Sequence, residues 1–194
     1  MAVAARLKLA GLKLAGPKLA GLKVATTAVV VTVVVTLAAC GSGTKPEAWA
    51  GQVCDALTPW RAQIAQLNAR AQQQMSSAGT PAETRASLLE LLAGGQTASE
   101  TARAAVVAAG APDVDGGAEV AGRFAASLEK TRDAYAHARA AVAALSTNDA
   151  STFYDGVVSV MTTLNAEYAR SGVDTSKLDS VELRNAFDKT DRCR

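Results

Sequence analysis

From residue 49 onward, apolar side chains recur every three or four positions, the spacing that lays them along one side of an α-helix. The first series is Trp49, Val53, Leu57, Trp60, Ile64, Leu67, Ala71 and Met75. Pro59 falls inside it, so the helix either kinks there or restarts with Thr58 as its cap and Pro59 in its first turn; the unbroken stripe favours a kink. A second helix opens at Thr80-Pro81-Ala82-Glu83, where a capping hydroxyl, a proline in the first turn and an acid three residues on form a capping box. Leu88, Leu89, Leu92, Ala102, Val106 and Ala109 continue it, and Gly110 and Pro112 stop it. Gly94-Gly95 in its middle predicts a bend or a close approach of another helix. The third series is the most regular: Ala121, Phe124, Leu128, Thr131, Tyr135, Ala138, Val142 and Leu145 alternate steps of three and four. A fourth helix begins near Asp149, carries Phe153, Val157, Val160, Met161, Leu164 and Tyr168, and ends at Gly172. A short fifth follows Asp179, with Glu182 as its capping partner and Leu183 and Phe187 one turn apart. The predicted fold is all-α, an antiparallel bundle of four long helices plus a short C-terminal helix.

Upstream of residue 40 the pattern is different. Leu-Lys-Leu-Ala-Gly occurs at 7–11 and 12–16, and Pro-Lys-Leu-Ala-Gly at 17–21. A five-residue period turns about 140° net around a helix, so the lysines spiral instead of forming one face. The segment reads as a positively charged n-region. Sixteen uncharged residues follow, Val24 to Ala39, dense in valine. That is shorter than the roughly 20 residues of a spanning helix and suits the apolar stretch of a signal peptide. The stretch closes with Leu37-Ala38-Ala39-Cys40, ahead of the small polar residues Gly41, Ser42, Gly43 and Thr44. In this order of charge, apolar run and Leu-Ala-Ala-Cys lipobox the chain resembles the bacterial lipoprotein family. The resemblance implies cleavage between Ala39 and Cys40 and a diacylglyceryl thioether on Cys40, and leaves the new amino terminus open to acylation, palmitate being the expected kind of chain. Two chains at about 0.8 kcal/mol per buried methylene anchor far more firmly than one. An uncleaved signal anchor and a conventionally cleaved secreted protein are the alternatives. The expected division is 1–39 signal peptide, 40–46 lipidated terminus and linker, and 47–194 helical domain.

The formal charge of the 194 residues is +2. Of the 20 basic residues, five (Arg6, Lys8, Lys13, Lys18, Lys23) precede residue 40 with no acid among them, so the other 15 face all 18 acids. A body near −3 has no basic face to displace phosphate counterions, which argues against nucleic acid as a partner.

With Cys40 assigned to lipid, Cys54 and Cys193 remain. A bridge between them would clamp the carboxyl terminus to the first helix. Free buried thiols or a metal pair are the other choices, though two thiolates without a nearby histidine make a poor zinc site. The lipobox, the segment Trp-Ala-Gly-Gln-Val-Cys-Asp-Ala-Leu-Thr-Pro-Trp at 49–60 and the terminal Ala-Phe-Asp-Lys-Thr-Asp-Arg-Cys at 186–193 are together similar to small helical lipoproteins of actinobacteria. That resemblance implies one disulfide and a location on the outer face of the cell membrane. It carries no activity.

Catalytic patterns are missing from the sequence: there is no Gly-x-Ser-x-Gly, His-Glu-x-x-His, Cys-x-x-Cys, Gly-x-Gly-x-x-Gly or Walker loop. His137 is the single histidine, so a serine or cysteine nucleophile has one candidate base. Glu129, Asp133 and His137 recur at four-residue steps and could offer a metal three ligands, but they stand outside the heptad beside Lys130, Arg132 and Arg139, as on a solvated charged face. Trp49 and Trp60, eleven residues apart, return to nearly the same helical angle. They would serve either as a stacking platform for a ring-bearing ligand or, more simply, as core. The expectation is a non-catalytic binding or structural module of the cell envelope, without cofactor or metal, tethered to the membrane by lipid and serving an envelope protein. The alternative is a carrier of a small molecule or metal, with its site between helices near the tryptophans or at Gly94-Gly95.

Overall fold

The computed structural model describes residues 43–172 and 178–193. The expected signal peptide, the cleavage site at Ala39 and the lipidation site at Cys40 lie outside them. Among the described residues there are five α-helices, α1 Pro46–Ser77, α2 Pro81–Ala108, α3 Gly117–Ala144, α4 Ala150–Ser171 and α5 Val181–Lys189, and a 3₁₀ turn over Asp191–Cys193. No helix among them is long and apolar enough to cross a membrane.

Local chemistry sets most boundaries. The Glu83 amide donates to Thr80 Oγ1 (3.3 Å) while Glu83 Oε2 accepts from the Thr80 amide (3.0 Å), completing the expected capping box. At α4 the Thr152 amide donates to Asp149 Oδ1 (2.8 Å). At α5 the cap is Ser180, one residue beyond the expected Asp179: its hydroxyl accepts from the Leu183 amide at 3.2 Å. Serine fits this position as well as aspartate, and only the backbone path decides between neighbours. Pro59 neither ends α1 nor starts a new helix. Thr58, on its flank, directs its hydroxyl to the carbonyl of Arg192 instead of capping (3.4 Å).

Successive helices are neighbours, α1 on α2, α2 on α3 and α3 on α4, while α5 and the 3₁₀ turn lie on α1. No Cα of α1 lies within 8 Å of one in α4, so the bundle is open along that side. The core consequently forms two clusters. At one end Trp49, Val53, Val106, Phe124, Leu128, Leu183 and Phe187 pack together. Trp49 stands edge-on to Phe124 and Phe187 at centroid distances of 5.5 and 5.9 Å, and the two phenyl rings stack at 5.7 Å. Toward the other end Leu88, Leu92, Tyr135, Ala138, Val142 and Leu164 form the second cluster, rimmed by half-buried Ile64, Leu67, Met75, Val157, Val160 and Met161.

Gly94-Gly95 resolves as a close approach without any break in α2. A Cβ on Gly94 would lie 2.6 Å from Leu67 Cδ2 of α1, and one on Gly95 2.7 Å from the Tyr135 ring of α3. Adjacent helix positions differ by about 100°, so two glycines admit side chains from two different neighbours.

Residues 43–45, immediately before α1, belong to the body. The Thr44 amide donates to the carbonyl of Ala111 (2.9 Å), and the Asp113 amide donates back to the carbonyl of Thr44 (2.8 Å). A Cβ on Gly43 would come within 2.8 Å of the Asp113 amide nitrogen. Thr44, expected in a linker, is therefore strapped to the α2–α3 connection.

Candidate functional site

The two tryptophans of α1 have separate fates. Trp49 is fully buried, its indole N–H donating to the carbonyl of Gly110 (2.9 Å). Trp60 is half-buried and donates to Ser99 Oγ (3.2 Å), whose own hydroxyl donates to the carbonyl of Gly95 (2.9 Å). They form no shared platform. Eleven residues is nearly three turns, about 16 Å along the axis. Over that distance the cover changes from α5 to the open side.

That open side holds a cleft of about 220 Å³ between α1 and the end of α4, with α3 as its floor. Leu57, Trp60, Phe124, Leu128 and Tyr168 supply its apolar walls, and Arg61 stands at the mouth. Its polar members are Ser127, Thr131 and Ser171. Thr131 Oγ1 and Ser171 Oγ share a hydrogen bond (2.8 Å), and both also lie within reach of carbonyls, Thr131 of Ser127 (3.0 Å) and Ser171 of Tyr168 (2.7 Å). Ser127 donates to the carbonyl of Ser171. These hydroxyls stitch the last turn of α4 to α3, and no buried side-chain nitrogen or oxygen among the described residues lacks a hydrogen-bond partner. The cleft is an apolar recess whose serine and threonine hydroxyls are already engaged. Thr131 was visible in the sequence as a polar residue in an otherwise apolar heptad and Tyr168 as the last member of the α4 stripe; Ser127 and Ser171 carried no comparable signal.

Glu129, Asp133 and His137 do not converge. Arg132 takes both carboxylates, Asp133 at 2.7 Å and Glu129 at 3.2 Å, and reaches Glu100 of α2 at 3.0 Å. Arg103 holds Glu100 from within α2 at 2.6 Å. Hydrogen bonds from Arg103 and then Arg132 lower the Glu100 carboxyl to about 2. His137 points to Glu167 of α4 instead (3.4 Å). It lines an open groove of about 370 Å³ between α3 and α4 with Lys130, Asp133, Ala134, Glu167 and Arg170. No group of three or more His, Cys, Asp or Glu side chains among the described residues could hold a metal ion. Burial, with a smaller contribution from Tyr168, pushes the Tyr135 hydroxyl up to about 12.

Cys54 and Cys193 are bonded, with their Cα atoms 5.1 Å apart across 139 residues of sequence. Arg192 adds an ion pair to Asp55 at 2.7 Å beside the bridge. The pairing settles the choice left open by the cysteine count, in favour of the disulfide.

Comparison of the chain with family models, curated proteins and solved structures gives no match in any of the three.

Proposed function

We propose that this is a lipid-anchored lipoprotein of the cell envelope, held on the outer face of the membrane through Cys40, whose helical body is a non-catalytic binding or structural module. The observation that carries the reading is the order of elements before the body: a basic n-region, an apolar run and Leu37-Ala38-Ala39-Cys40. The Cys54–Cys193 bridge supports it independently, because a structural disulfide persists in an oxidising, extracytoplasmic setting. No residue of the body is assigned a catalytic role. The charged network around Arg132 is paired within itself, and the serine and threonine hydroxyls of the cleft bond to one another and to backbone carbonyls.

The test is expression of the full chain in a bacterium supplied with a traceable fatty acid, with the Cys40→Ser variant beside it. The expected outcome is label in the parent chain, none in the variant, and a mature mass that begins at Cys40. An intact leader or an unmodified thiol at position 40 overturns the reading.

A second reading, a small-molecule carrier, is favoured by the Trp60 cleft. At about 220 Å³ it lies below the roughly 300–1,000 Å³ of ordinary ligand pockets and would take a single ring or a short apolar chain. A ligand there raises the melting temperature of the parent chain and not of a Leu57→Trp variant that fills the recess.

A further inference from the structure

The strap at Thr44 fixes where a lipid anchor can lie relative to the body. Gly43 rests on the backbone of Asp113, and Thr44 exchanges two backbone hydrogen bonds with Ala111 and Asp113. Three Cα–Cα steps separate Cys40 from Gly43, so whatever path they follow the Cys40 Cα lies within roughly 11 Å of Gly43, and the anchored sulfur within roughly 14 Å of this residue that rests on the α2–α3 connection. The same pole carries the start of α1, where Trp49 bonds to Gly110 (2.9 Å). The opposite pole holds the α1–α2 turn and the α3–α4 connection, joined by Arg85 donating to the carbonyl of Leu145 (3.1 Å). At 28 residues, α2 separates the two poles by about 42 Å.

Resting on the proposed lipidation of Cys40, we infer that the pole formed by residues 110–117 and the start of α1 is the face this protein turns to the bilayer. Its occupant is a lipid surface, chosen by the length of chain between the anchor and the first strapped residue. Exposed Glu47, Asp113, Asp115 and Glu119 outnumber Lys45 there. An acidic pole gains nothing from anionic headgroups, so covalent reach alone holds it close. The Trp60 cleft opens on the flank, about 20 Å along α1 from the tether.

The experiment places a photoreactive diazirine residue at position 115 or, separately, at 148, in the full chain expressed in a bacterium fed a traceable fatty acid. After illumination, lipid adducts are counted per labelled protein. Several-fold more adducts at 115 than at 148 supports the assignment. So does loss of most of that excess when about twenty Gly-Ser residues, spanning about 25 Å on average, are inserted between Ser42 and Gly43. Fatty-acid label with equal adducts at the two positions, or more at 148, overturns the orientation and leaves the anchor standing. Absence of label removes the anchor, and the orientation with it.

Discussion

The two ends of this bundle bury similar helices by different means. Around Trp49 the core is aromatic, and α5 covers it. The Cys54–Cys193 bridge and the Arg192–Asp55 pair then lock the chain terminus in place. Around Tyr135 and Leu164 the core is mainly aliphatic, and its rim of Ile64, Leu67, Met75, Val157, Val160 and Met161 is only half covered. Here α4 packs on α3 with no close backbone approach to α1, and its outer face exposes Tyr154 (43%) and Val158 (66%). An equally regular apolar stripe therefore has different energetic value at the two ends. What matters is whether a second, non-neighbouring element closes over it.

Substitution sharpens this contrast most strongly. Phe124→Ala removes a ring that touches both Trp49 and Phe187 and is expected to cost about 3–5 kcal/mol in urea unfolding. Met161→Ala, on the half-covered rim, should cost about 1 kcal/mol, since little of its area leaves water on folding. Equal losses would remove the distinction between the ends.

Removing the bridge by Cys54→Ala with Cys193→Ala is expected to cost about 2–5 kcal/mol. The damage should be polarised: limited proteolysis is expected within α5 first, at Arg184 or Lys189, while amide exchange in α4 stays unchanged. Faster exchange throughout α4 would show the two ends to be one cooperative unit.

A smaller effect comes from the glycines. Gly95→Ala drives a methyl into the Tyr135 ring and should cost about 1–3 kcal/mol, whereas Gly122→Ala on α3 meets nothing within 4 Å and should gain about 0.5–1 kcal/mol from helix propensity. If Gly95→Ala is neutral, the half-covered end is loose enough for Tyr135 to yield.

The smallest expected effect is electrostatic. Glu100 titrates near 2 in the fold against 4.5 for an ordinary glutamate, so its pairing with Arg103 and Arg132 stabilises the protein above about 4.5. That contribution fades as the pH falls toward 2. The group is exposed, so the loss is slight. Melting temperatures followed between pH 5 and 2 should fall a little less steeply for Glu100→Gln than for the parent chain; a steeper fall would mean that the network does not tie α2 to α3.

Legibility in the sequence followed the range of the interaction. The four long helices, the Thr80–Glu83 capping box and the Asp149 cap were readable because each depends on residues within one turn. The short-range rule missed by one residue at Ser180, where two capping residues stand side by side. The candidate cleft was only partly readable. Trp60 was singled out on its stripe, but Ser127, Ser171 and Tyr168 became its neighbours only through the docking of α4 on α3.

By itself the sequence determined the number and extent of the long helices, the direction of each apolar face and the two cysteines available to pair. Tertiary structure decided that Trp49 is core and Trp60 borders a cleft, that Gly94 and Gly95 receive side chains from two different helices, that Arg132 claims the carboxylates beside His137, and that Thr44 is tied to the α2–α3 connection. The reason is physical. A helix's periodicity and caps are set by contacts three or four residues apart, whereas burial, pairing and access depend on which distant segment reaches a given face. In this chain α5 reaches one half of α1, and nothing among the described residues closes over the other half from α4.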